Sequence, residues 1–211
     1  MHIAIVLYEQ IEPIELAVIG TLSMAKRINP ELQYVTISEH GGMVVLNNGL
    51  RVDTDYSFAD APAADVLIVT GGPGWQAQAN NPNMLDFLVR RHASGECLAS
   101  VCTGAMLLAS AGLLAGKRAT TKVPVAGKEP CPLDVMAENY DDIQTIAALV
   151  VDEGNIITGG GVTLGIDLTL YLLSRFLGSA VAEETARIME YEAAWTANRA
   201  RLPILGAVWA G

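Results

Sequence analysis

Residues 97–116 contain no charged side chain, and this run limits what the chain can fold into more than any other feature. An uncharged apolar run of about 20 residues is long enough to cross a bilayer as a helix. Here it is interrupted by Gly104, Gly112 and Gly116, and its centre reads Ser100-Val-Cys-Thr-Gly104. That pattern predicts a buried strand, a tight turn and a packed helix, covered by protein on both sides as the strands of parallel sheets are. Membrane insertion is not expected.

The rest of the chain repeats the same grammar. Apolar runs at residues 3–7, 32–38, 65–70 and 97–101 alternate with helical periodicity at 14–27, 84–92 and 103–111. This βαβ rhythm implies a mostly parallel sheet with helices on both faces. Gly41-Gly42 and Asn48-Gly49 bracket short alternating segments at 43–46 and 50–54, which predicts a hairpin at the sheet edge. Residues 122–132 read as a loop. Segments 143–151 and 156–158 flank a turn at Asp152-Glu-Gly-Asn155, and two helices, 163–176 and 179–196, close the domain.

With 211 residues, 51% hydrophobic and 17% charged, residues 1–211 are expected to form one domain with an ordinary core. A formal charge of −10 argues against a nucleic-acid surface, which needs clustered Lys and Arg. The N-terminus opens on a strand-like segment and has no signal-peptide pattern. The three cysteines, Cys97, Cys102 and Cys131, are irregularly spaced and form neither a disulfide framework nor a metal pattern. A cytoplasmic location is the expectation, with no metal and no cofactor.

In an open α/β sheet, ligands bind beyond the carboxyl ends of the strands. Four features converge there: the turn around Glu15, the Gly71-Gly-Pro-Gly74 loop, the Cys102 turn and the loop from Gly159 to Thr163. A thiol where a strand turns into a helix has the placement of a nucleophile elbow. Backbone N–H groups at the helix start are expected to favour thiolate, with a pKa below about 8.5. The alternative for Cys102 is a small buried hydrophobe. Glu15 shares a helical face with Val18, Ile19 and Leu22, so a carboxyl heads an apolar stripe. Burial would raise its pKa, and a neutral Glu15 could donate a hydrogen bond to a Cys102 thiolate. It is equally readable as a first-turn charge that compensates the helix dipole.

Other candidates carry two readings each. Asp167 is a helix-start charge, the preferred reading, or a pocket residue. Trp75 walls the pocket or simply packs, and Lys122 brings a charge to the site or is a solvated loop lysine. Cys97 reads as structural and Cys131 as exposed. His2, His40 and His92 fall away from the glycine loops, so a Cys–His dyad lacks a base.

These residues resemble the ThiJ/PfpI superfamily, with its class I glutamine amidotransferase-like fold. The marks are Pro13-Ile-Glu15, Val69-Thr-Gly-Gly-Pro-Gly74, Ser100-Val-Cys-Thr-Gly104, Ala119-Thr-Thr121 and Gly160-Gly-Val-Thr-Leu-Gly-Ile-Asp167. The resemblance implies a three-layer, flavodoxin-like sandwich. It implies Cys102 as nucleophile, Glu15 as the acid beside it, and the backbone N–H groups of Gly72 and Thr103 as an anion-binding pair. Trp75, Thr163, Asp167 and Lys122 are candidate pocket residues. The stretch from Ser100 to Thr121 and the Gly-Ile-Asp segment look most like isonitrile hydratases and the sensor-like domains of AraC-type regulators, with two departures: the hydratases usually carry Asp where Glu15 stands, and many relatives carry His where Lys122 stands.

The expected function is accordingly a cysteine-dependent, lyase-type hydration of a small apolar isonitrile to an N-substituted formamide, by a homodimer. The alternatives are a cysteine redox sensor and a ligand-sensing domain related to AraC-type regulators. Such regulators append a basic helix-turn-helix region, which is not expected in a chain ending at Gly211.

Overall fold

A computed structural model describes residues 1–206; the expected domain end and the reading at Gly211 lie outside the described residues. In chain order the elements begin with β1 (His2–Val6), a 3₁₀ turn (Pro13–Leu16) running into α1 (Ala17–Ala25), and β2 (Gln33–Ser38). Then come the hairpin β3 (Gly42–Val45) and β4 (Arg51–Thr54), β5 (Tyr56–Ser57), β6 (Val66–Val69), α2 (Trp75–Gln78), α3 (Pro82–Ala93) and β7 (Cys97–Ser100). Next are α4 (Gly104–Ser110), β8 (Arg118–Ala119), α5 (Pro132–Asn139), β9 (Gln144–Thr145), β10 (Val150–Asp152) and β11 (Ile156–Gly159). The described chain closes with α6 (Leu164–Leu177), α7 (Ser179–Ile188), α8 (Glu192–Arg201) and β12 (Ile204–Leu205).

The main sheet has the order β12-β10-β11-β7-β6-β1-β2-β5 and is parallel throughout except between β10 and β11. Its central strands are buried on both faces: every residue of Val66–Val69 and Cys97–Ser100 is buried. This is why they read as continuous apolar runs rather than alternating ones. The registers Val6↔Val69, Val69↔Ser100 and Ser100↔Thr158 bring β1, β6, β7 and β11 to one level. Parallel strands ending level deliver their following loops to one edge, and this edge carries the chemistry. The fold is therefore an α/β sandwich with a mostly parallel central sheet.

Residues 97–116 form a strand, a turn and a helix, and among the described residues no helix is long and apolar enough to cross a membrane. Several boundaries differ from expectation. The helix expected at 14–27 begins as a 3₁₀ turn. The strand expected at 143–151 splits into β9 and β10. The helix expected at 179–196 is two helices, separated at Glu190, whose φ is 56°. Helices α2 and α5 and strand β12 fall where no element was expected.

Candidate active site

Cys102 occupies the elbow between β7 and α4 with φ 54°, a left-handed conformation that is uncommon for a residue with a Cβ. Its backbone is pinned on both sides. Its N–H donates to the Gly160 carbonyl at 3.1 Å, and its own carbonyl accepts from Thr121 Oγ1 at 2.7 Å. Helix α4 can start this close to the sheet because Gly104 lacks a side chain: a Cβ there would stand 2.3 Å from the Val69 carbonyl oxygen. The turn that holds the thiol is thus built from three strand ends.

Glu15 enters from the 3₁₀ turn after β1 and is 1% exposed. Its Oε2 accepts the Gly71 N–H at 3.2 Å, while Oε1 is buried without a well-formed hydrogen bond. The Cys102 thiol faces this carboxyl. Burial pushes Glu15 up to about 7, against smaller opposing pulls from the Gly71 amide and the Cys102 contact. Burial, reinforced by the Glu15 charge, pushes Cys102 up to about 12. The N–H groups of Val162 and Thr103 point to the sulfur and pull the other way, but they do not offset burial.

Both shifts run the same way, so burial favours the protonated form of each group, and the thiol is pushed away from the thiolate expected of it. The expected lowering of the thiol pKa is opposed by burial and by the Glu15 charge, which outweigh the two amides.

The expected anion-binding pair is also rearranged. The Gly72 N–H donates to Thr103 Oγ1 at 2.9 Å and is thereby occupied, while the Thr103 N–H faces the sulfur. The second amide at the sulfur belongs to Val162, whose φ is 60°. A β-branched residue in this conformation is a genuine outlier, of the kind that clusters at functional sites. Nothing in the sequence marks it beyond the glycines beside it.

A cavity of about 370 Å³ opens at Cys102, Glu15 and Thr103. Trp75, Val125, Pro130, Pro132, Val135 and Val162 give it apolar walls, and Glu12, Asn47, Gln76, Glu129 and Lys122 add polar ones. Trp75 therefore walls the site. Lys122 lines it with its Nζ donating to the Pro124 carbonyl. Thr163 lies instead in an adjoining cavity. Asp167 lines neither: it is 1% exposed and accepts from Tyr191 Oη at 2.9 Å and Asn198 Nδ2 at 3.0 Å, tying α6 to α8. None of the three histidines lines the Cys102 cavity. Tyr8, which the sequence does not single out, sits buried behind the pair. Its hydroxyl donates to the Thr70 carbonyl at 2.9 Å, and burial, followed by the Glu15 and Cys102 charges, holds its proton firmly.

A larger recess of about 720 Å³ lies around Cys97 at the opposite end of the strands. Of the charged side chains in its walls, Glu96 pairs with Arg91, Arg175 pairs with Asp152, and Asp65 accepts the His2 backbone N–H at 2.7 Å. Burial pushes the Cys97 thiol up to about 11, in keeping with a structural cysteine. Among the described residues no group of His, Cys, Asp and Glu is arranged to hold a metal ion.

The chain and its fold have relatives among known proteins. The model of the DJ-1/PfpI family matches residues 1–175. The chain belongs to the DJ-1/PfpI family. An isonitrile hydratase from Pseudomonas putida is 31% identical over 196 residues, covering 90% of this chain and 78% of that protein. The HTH-type transcriptional regulator CdhR from Pseudomonas aeruginosa is 30% identical over 166 residues, which is 78% of this chain but 47% of the regulator. Among solved DJ-1/PfpI structures, a DJ-1 superfamily protein from Salmonella typhimurium superposes with a TM-score of 0.75 at 26% identity, covering 90% of this chain and 98% of that one. The family thus includes both enzymes and regulators, and the geometry at Cys102 has to separate them.

Proposed function

We propose that this protein hydrates small, largely apolar isonitriles to N-substituted formamides. The observation that carries this reading is the buried Cys102 thiol facing a Glu15 carboxyl whose pKa is raised to about 7, in a cavity with apolar walls on one side and no histidine in its lining. The 31% identity to an isonitrile hydratase supports it.

The chemistry needs one shuttling proton and one nucleophile. Ionised Glu15 takes the Cys102 proton as sulfur bonds to the terminal isonitrile carbon, then returns it to that carbon. The product of this step is a thioimidate, R–N=CH–S–Cys102. Water adds across the C=N bond, Glu15 again moving the proton, and the C–S bond breaks to release R–NH–CHO and restore the thiol. A carboxyl titrating near 7 is suited to both halves, because it gives and accepts protons with little loss at neutral pH. The N–H groups of Thr103 and Val162 stabilise negative charge that develops on sulfur.

Proton NMR of purified protein with an alkyl isonitrile tests this directly. Formamide should form catalytically, and Cys102→Ala should reduce its production to the uncatalysed rate. Equal rates for the two proteins would reject the assignment.

A second reading is ligand sensing without turnover, favoured by the identity to the CdhR regulator; binding of an isonitrile with no formamide formed would support it. The third reading is a redox sensor, which selective oxygen addition at Cys102 at low peroxide would support. The homodimer and the cytoplasmic location implied by the resemblance belong with this proposal.

A further inference from the structure

The second cavity, of about 350 Å³, adjoins the Cys102 site and shares Lys122 and Val162 with it as a common wall. Lys122 is the partition: its stem lies against Gly161, where a Cβ would stand 2.7 Å from the Lys122 Cβ and 2.8 Å from its Cγ. Beyond Lys122 the walls are apolar, from Val123, Pro124, Ala148, Leu164 and Leu202. The two cavities differ in charge. Lys122 lines both; besides it, Glu12, Glu15 and Glu129 line the first and Arg201 is the charged residue lining the second.

We propose that the second cavity is a tail subsite: the substrates are isonitriles whose alkyl chain passes over Lys122 and ends in a carboxylate bound by Arg201. This rests on the hydration reading for the reacting end and adds the substrate class. Charge sets the orientation. The carboxylate groups around Cys102 repel an anionic end and admit the uncharged isonitrile, while the far cavity has apolar walls, the Arg201 cation and, among the described residues, no carboxylate. Arg201 is exposed and its Nη2 donates to Asn198 Oδ1 at 3.0 Å, which leaves other donors of its planar fork for a carboxylate. The Lys122 ammonium is held by the Pro124 carbonyl of its own loop and its charge acts on Glu15, so Arg201 is the cation that the second cavity has to itself.

The test compares ω-isocyanoalkanoates with uncharged n-alkyl isonitriles of equal length. It also measures, by calorimetry, binding of the matching N-formyl ω-amino acids and their terminal amides. The carboxylated compounds should show about tenfold lower KM and Kd, the scale of one charge-assisted contact. Arg201→Gln should bring both ratios close to one, and Arg201→Lys should restore part of the preference. Equal constants for charged and uncharged compounds in the wild-type protein would overturn the proposal, as would ratios unchanged by Arg201→Gln. Absence of all turnover with Arg201-dependent binding retained would reject hydration while keeping the subsite.

Discussion

Gly72 donates its backbone N–H to Thr103 Oγ1 at 2.9 Å, and the same hydroxyl donates weakly back to the Gly72 carbonyl at 3.3 Å. The hydroxyl therefore closes off one of the two amides expected to hold an anion beside Cys102. Thr103→Ala would leave that buried N–H without its partner, at about 1–2 kcal/mol of stability. It would also free a donor next to the sulfur. Intact-mass analysis under peroxide should then show Cys102 oxidising to sulfinate at lower doses than in the wild-type protein. An unchanged dose response would mean that Gly72 does not reach the sulfur even when freed.

Val162 pays for its N–H contact to sulfur with a φ of 60°. Val162→Gly removes the strain of a β-branched residue in that region, and the variant is expected to be more stable by up to about 1 kcal/mol in urea unfolding. Its hydration rate should fall, because a freer backbone no longer holds the amide on the sulfur. A variant that is both less stable and fully active would contradict this.

Burial also pushes Asp167 up, to about 6, against the hydrogen bonds from Tyr191 and Asn198. A carboxyl whose folded pKa exceeds its unfolded value favours the fold while neutral, below about pH 4, and that advantage is lost as pH rises through 6. Asp167→Asn should therefore gain stability relative to the wild-type protein across that window. Urea midpoints measured at both ends of it decide the point, and a constant difference would remove burial as the cause.

Glu15 obeys the same sign with a larger shift, from 4.5 to about 7. Wild-type stability should fall across that interval, and Glu15→Gln, which stays neutral, should be spared. The advantage of the variant is expected to grow by about 3 kcal/mol between pH 4.5 and pH 8. A pH-independent difference in urea unfolding would argue that the Glu15 carboxyl does not ionise over this range.

The elbow was legible because a short string, Ser100-Val-Cys-Thr-Gly104, places strand, turn and helix in five residues. Gly104 is the part that steric contact makes obligatory. The break between α7 and α8 was hidden because Met189-Glu190-Tyr191 contains no glycine or proline, and Glu190 takes the positive φ itself. Helix α5 had a signal, Pro132 at its first turn, but the preceding Pro130 made the stretch read as loop. Asp167 reads as a helix-start charge and stands in the first turn of α6; what the sequence hides is its burial against Tyr191 and Asn198, 24 and 31 residues away. The upward shift of the Cys102 thiol depends on how deeply it is buried, which spacing along the chain does not encode.

The central claim is that Glu15 carries the proton for a neutral Cys102 thiol, and the pH dependence of kcat/KM for isonitrile hydration tests it most directly. The profile should rise through a single ionisation near pH 7 and then level off, and Glu15→Gln should lower the plateau by about 10²–10⁴-fold and abolish that ionisation. A rate that is flat across neutral pH, or a rising limb near 7 that persists in Glu15→Gln, would contradict it.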